Sequence, residues 1–151
     1  MLKIRHIAFA SDHPGKAADF YKSAFGFKEI SRFGLDPTRP DYAPRPSAVF
    51  LTDGVLNIAI IKFPTDQLGK GIDYVGLHHF GVVVDDVETW TKKLEAMGAD
   101  PLREPLPPGM HAEYKFRGPD GVVFDITREP WEGSMPVPDE DRMVAPSEAA
   151  E

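Results

Sequence analysis

Residues 79–100, HFGVVVDDVETWTKKLEAMGAD, repeat the plan of residues 6–27, HIAFASDHPGKAADFYKSAFGF. Each stretch opens on a histidine, crosses a short apolar strand to an aspartate, continues as a helix and stops at glycine. His6 and His79 are 73 residues apart, as are Asp12 and Asp85, whereas Gly26 and Gly98 are 72 apart. One residue was therefore gained or lost near the helix start. In the first helix Ala17, Phe20, Tyr21, Ala24 and Phe25 recur at the spacing of one buried face. Pro14 suits its first turn and Gly26 its left-handed stop. In the second, Val87, Trp90, Leu94 and Met97 form the stripe. Asp85, with Glu88 three residues on, reads as the cap, and Gly98 as the end.

Each half then continues as strands. AVFLTDGVLNIAIIKF (48–63) predicts a hairpin turning at Thr52-Asp53-Gly54, and AEYKFRGPDGVVFDITRE (112–129) one turning at Gly118–Gly121, because Asp-Gly supplies the positive φ such bends need. Each half thus reads strand, helix, strand, strand, strand. The fold class is α+β: two βαβββ modules, 1–63 and 77–129, joined by a connector, 64–76, with curved mixed sheets around a shared cavity. The expected domain is 1–129.

Side chains alternate across a strand. His6, Ala8 and Ala10 share one face, and so do His79, Gly81 and Val83, with Ala8 and Gly81 leaving room beside the histidines. Val123, Asp125 and Thr127 point away from Phe124 and Ile126, as Asn57 and Ala59 point away from Leu56, Ile58 and Ile60. His6, Asn57, His79 and Asp125 therefore fall on the face away from the helices. Two imidazoles and a carboxylate meeting in a dry space form the ligand set of a divalent metal. An unpaired aspartate there would cost several kcal/mol or take up a proton, which a metal avoids. A lone buried histidine is more often a hydrogen-bonded core residue; two equivalent ones with an in-phase acid favour ligands. His78 is read as a helix-side or surface residue, His13 as exposed, and Phe20, Tyr21, Phe25 and Trp90 as core.

His111, Glu113 and Lys115 share a face of the strand that pairs with Asp125. A clean four-residue loop would set Tyr114 opposite Asp125; one extra residue would turn the other three inward. Inward, any of the three serves as general acid or base, or orients an anion; outward, they form a solvated ion pair.

The chain lacks cysteine, which excludes disulfides, thiolate ligands and a cysteine nucleophile. No apolar run approaches the roughly 20 residues of a membrane helix, and the N-terminus does not read as a signal peptide, so no membrane partner and a cytoplasmic location are expected. The formal net charge is -7, but seven acids and one base lie in 129–151, leaving 17 acids and 16 bases in 1–128. A nearly neutral body argues against nucleic acid. The acidic, Pro-rich segment 130–151 is aperiodic and reads as largely flexible, unless Trp131 and Met135 anchor it on a partner subunit.

The paired βαβββ halves, RHIAF matched by HHFGV, and GPDGVVFDI resemble the vicinal oxygen chelate superfamily, the glyoxalase/bleomycin resistance protein/dioxygenase group. The resemblance covers residues 1–129. It implies metal ligands at His6, His79 and Asp125, where glutamate is commoner, with Asn57 at the remaining position. Asn57 cannot act as a base, which departs from glyoxalase I. His6, His79 and Asp125 alone make the 2-His-1-carboxylate set of non-haem iron oxygenases. By the same resemblance, the acid–base tyrosine of extradiol dioxygenases falls on Lys115. The implied function is an enzyme that chelates a small oxygenated substrate through a divalent metal (Fe2+, Zn2+, Mn2+ or Ni2+), with dioxygenase or lyase/isomerase chemistry. The alternative is a non-catalytic small-molecule binding or resistance-type protein. A homodimer is expected from the family.

Overall fold

In a computed structural model, residues 2–102 and 114–134 are described. Among these residues, eight strands and two α-helices follow the order read from the repeat. The first half holds β1 (Ile4–Ala10), α1 (Pro14–Phe25), β2 (Lys28–Phe33), β3 (Ser47–Thr52) and β4 (Asn57–Lys62). The second holds β5 (Gly76–Val83), α2 (Val87–Ala96), β6 (Asp100–Pro101), β7 (Tyr114–Arg117) and β8 (Val123–Thr127). They form one mixed sheet, ordered β2-β3-β4-β1-β5-β8-β7-β6. The halves meet where β1 runs antiparallel to β5, while β1 is parallel to β4 and β5 to β8. The architecture is α+β.

The repeat appears as a pseudo-twofold at that seam. His6 lies opposite Gly81 and His79 opposite Ala8, so each histidine faces the small residue two places after the other. Each helix covers its own half of the opposite face. Ala18 packs with Val49, Leu51, Ile58 and Ile60, and Trp90 with Val84, Phe116 and Ile126. Small residues let α1 sit close to the sheet, so its buried line runs through Pro14 and Ala18. Phe20 and Phe25 are pushed to the rim and exposed, as is Met97 at the end of α2. These three were expected in buried stripes; only Tyr21 and Trp90 among the helix aromatics pack against the cores.

Gly26 closes α1 at φ 72°, in the left-handed region, its N–H bonded to the Lys22 carbonyl. The cap of α2 is Asp86, whose carboxylate accepts from the Thr89 N–H. Asp85 instead accepts from Trp90 Nε1 at 2.8 Å. The expected Asp85 cap is thus one residue early, because a helix starting at Val87 puts Asp86 within reach of its free N–H groups. Between β7 and β8 the turn spans 118–122 and includes a short 3-10 turn, Pro119–Gly121. That length sets Lys115, not Tyr114, opposite Asp125. Tyr114 is exposed.

Candidate metal centre

Five neighbouring strands, β4, β1, β5, β8 and β7, each bring a polar side chain to the face away from the helices. They are Asn57, His6, His79, Asp125 and Lys115. His6, Asn57 and Asp125 are buried to 1% exposure or less, and His79 to 3%. His6 Nε2 stands 3.2 Å from Asp125 Oδ1, and His79 Nε2 3.1 Å from Asp125 Oδ2. One ligand atom from each of the three lies within 4.8 Å of the others. Lys115 Nζ donates to Asp125 Oδ2 at 2.9 Å and stands 3.5 Å from His79 Nε2.

The donor set fits a divalent cation. Two imidazole nitrogens and a carboxylate converge in a buried space, and Asp125 Oδ1 has no hydrogen-bond partner among the described residues. Asn57 donates through Nδ2 to the Glu132 carbonyl, while its buried Oδ1 has no partner among the described residues. An orphaned carbonyl oxygen beside this set is the kind of acceptor a cation satisfies. His6 is held in place by its neighbours. A Cβ on Gly81 would come within 1.8 Å of His6 Cε1, so the imidazole fills the volume that only glycine leaves free.

The electrostatics match the geometry. Burial pushes His79 down from 6.5 to about 4, against the Asp125 hydrogen bond that raises it, and Lys115 lowers it further. Burial, with His79 alongside, holds His78 at about 3. Burial opposes the Asp125 charge, but hydrogen bonds from His6 and His79 and the Lys115 ammonium win and hold the carboxyl well below its usual range. Near neutral pH, His78 and His79 are bases and Asp125 an anion, the states that metal ligation requires. The metal-free protein should lose stability as pH falls from 6.5 towards 4. Over that window the unfolded chain takes up protons that the folded imidazoles refuse. The loss is on the order of 3 kcal/mol for His79, with His78 adding to it, and is read as a falling urea midpoint; His79→Gln should make the fall shallower without abolishing it.

The described part of the acidic segment lies on this site. Trp131 stacks on His6 at 3.7 Å between ring centroids and 9° between planes, and meets Phe50 edge-on. Thr52 Oγ1 donates to the Gly133 carbonyl. The segment 130–151 was expected to be largely flexible unless Trp131 and Met135 anchor it on a partner subunit, and only residues 130–134 of it are described. In the structure Trp131 is instead tied to its own chain's sheet, because the bare faces of His6 and Phe50 offer an aromatic surface to cover. Met135 lies outside the described residues.

The family model of the Glyoxalase/Bleomycin resistance protein/Dioxygenase superfamily matches residues 3–126. The chain belongs to this superfamily. No curated protein matches the sequence. Among solved structures, the hypothetical protein BH1468 from Bacillus halodurans C-125 is similar at 18% identity and a TM-score of 0.59, covering 83% of this chain and 92% of that one. A variant of methylmalonyl-CoA epimerase from Streptomyces coelicolor, in complex with 2-nitronate-propionyl-CoA, is similar at 17% identity and a TM-score of 0.57, covering 82% and 94%. The epimerase from Mycobacterium tuberculosis is similar at 15% identity and 0.57, covering 82% and 85%. At these identities the likeness is one of fold.

Of the positions that the superfamily resemblance implied, the structure brings together His6, His79, Asp125, Asn57 and Lys115. His111 and Glu113 lie outside the described residues. His78 departs from its expected place. It is 7% exposed, its Nδ1 lies 2.7 Å from His79 Nδ1, and its ring stacks on Phe63 at 3.8 Å. The register passes from Ala8↔His79 to Phe9↔Leu77. His78 is therefore the extra residue of a bulge, and both side chains lie on the same side. Only the doubled histidine hinted at this; strict alternation concealed it. Among the described residues, no helix is long and apolar enough to cross a membrane.

Proposed function

We propose that the chain is a metal-dependent enzyme of the superfamily acting on a small oxygenated molecule. The observation that carries this reading is the buried convergence of His6, His79 and Asp125, with the anionic carboxylate between two imidazole nitrogens. These three would hold a divalent cation (Fe2+, Zn2+, Mn2+ or Ni2+), with Asn57 Oδ1 as a fourth donor. Such a cation would supply Lewis acidity to two neighbouring oxygens of the substrate.

Lys115 is the group of this chain placed to act on the substrate. Its side chain is 13% exposed, with the ammonium at Asp125. With the carboxylate engaged by a cation, that ammonium would face an oxygen that gains negative charge, or donate a proton to it. His111 and Glu113, in the segment leading into β7, are proposed as further acid–base groups. Trp131, stacked on His6 and edge-on to Phe50, keeps water from the His6 ring. The superfamily's homodimer is part of the proposal, and the exposed Phe20 and Phe25 of α1 suit such an interface.

Lys115→Met separates this reading from simple ligand storage. Turnover should fall by roughly 100-fold or more, while Zn2+ binds as tightly as in wild type or tighter, one competing cation having left Asp125. Iron-loaded protein is assayed for catechol cleavage by oxygen uptake. Zinc-, nickel- or manganese-loaded protein is assayed for solvent deuterium exchange next to a carbonyl. If all loaded forms are inert on both substrate classes yet bind small aromatics tightly, the chain is a non-catalytic binding protein. The Trp131–Phe50 pair then lines its ligand site.

A further inference from the structure

The two histidine ligands proposed above are not held alike. His6 presents a buried Nδ1 without a hydrogen-bond partner among the described residues, and its ring is held by Trp131 and the gap at Gly81. His79 presents its Nδ1 to His78 Nδ1 at 2.7 Å, with the rings 76° apart and their centroids at 5.0 Å. A nitrogen pair this close holds one proton between two neutral imidazoles. With none the lone pairs repel, and with two the hydrogens collide. Two arrangements remain. If His78 carries the shared proton, His79 is protonated on Nε2 and donates to Asp125 Oδ2. If His79 carries it, His79 Nε2 bears a bare lone pair towards Asp125 and Lys115, and His78 is protonated on Nε2.

Resting on the metal reading above, we infer that His78 is a positioning residue. It accepts the Nδ1 proton of His79 and so fixes the tautomer and ring angle in which His79 Nε2 receives a cation. The switch between arrangements leaves the proton count unchanged. His79 moves its hydrogen from Nε2 to Nδ1 while His78 moves its own from Nδ1 to Nε2. The bulge in β5 makes this possible by turning both rings to one side, and the stack on Phe63 holds the His78 ring plane. Outer partners of ligating histidines work in this way elsewhere.

The test uses the full chain and Co2+, whose visible bands report ligand field. His78→Phe keeps the stack on Phe63 and removes the acceptor; His78→Asn places a carbonyl oxygen near the lost Nδ1. His78→Phe should weaken Co2+ and Zn2+ binding roughly 10–100-fold and shift the cobalt bands, and His78→Asn should recover most of both. Unchanged affinity and bands in a folded His78→Phe protein would overturn the inference while leaving the metal reading intact. If wild type binds no Co2+ at all, the metal reading falls and the inference with it. Should His78→Phe not fold, 15N spectra of zinc-loaded wild type decide. His79 protonated on Nδ1, with a bare Nδ1 on His78, supports the inference; the reverse overturns it.

Discussion

Asp125→Asn should cost the protein both its metal and part of its stability. The amide keeps the shape and one acceptor oxygen but loses the charge. The asparagine would be a poor ligand between His6 and His79, and Zn2+ affinity should fall by about 100-fold or more. The effect on the metal-free fold has the same sign. Asp125 is fully buried, and its anion is the counterion of Lys115 and the acceptor for two imidazoles. Removing one member of such a set costs about 3 kcal/mol, because it takes the counterion from a largely buried ammonium and the acceptor from two buried imidazoles. Lys115 retains some access to solvent, so the cost sits at the lower end. Calorimetric titration with Zn2+ measures the first effect, and urea unfolding of the metal-free protein the second. An Asp125→Asn protein that binds Zn2+ like wild type would remove the carboxylate from the site.

Gly81→Ala adds one methyl group and should be nearly as damaging. The new Cβ would lie 1.8 Å from His6 Cε1 and 2.3 Å from both ring nitrogens. No real contact is that short, so the ring or the strand must move. His6 is fully buried and stacked on Trp131, and β1 and β5 are the two central strands of the sheet. Movement of either disturbs the seam between the halves. Overpacking of this kind costs about 2–3 kcal/mol. Because the atom displaced is the ligand itself, metal affinity should fall by about 100-fold. Ala8, the pseudo-twofold counterpart opposite His79, provides the control: Ala8→Gly should leave Zn2+ affinity within a few fold. Equal Zn2+ affinity in Gly81→Ala and wild type would show that His6 is not where the ion binds.

The repeat made the fold legible. Its 73-residue offset paired His6 with His79, and strand parity put both on the face shared by Asn57 and Asp125. Parity succeeds there because the register between β1 and β5 is unbroken from His6↔Gly81 to Ala8↔His79. It fails at His78, where a bulge sets two successive side chains on one side. A bulge leaves no mark in hydrophobic pattern, since the polar residue is buried by its neighbours rather than by its own character. The turn length that brings Lys115 to Asp125 was readable only as one of two registers. Trp131 escaped because an acidic, aperiodic segment gives no period to read, and only the uncovered rings of His6 and Phe50 explain where it lies. The α1 aromatics misled for a simpler reason. A helix pressed close to a sheet buries its small residues, so Ala18 took the place expected of Phe20 and Phe25.

The most direct test of the central claim is metal content by plasma mass spectrometry on anaerobically purified full chain, beside His79→Ala and Asp125→Ala. Wild type should carry, or take up on titration, about one divalent ion per chain, and both variants should carry none. A folded wild type that holds no metal and binds none of Fe2+, Zn2+, Mn2+ or Ni2+ on titration would contradict the account. So would variants that retain the full wild-type content.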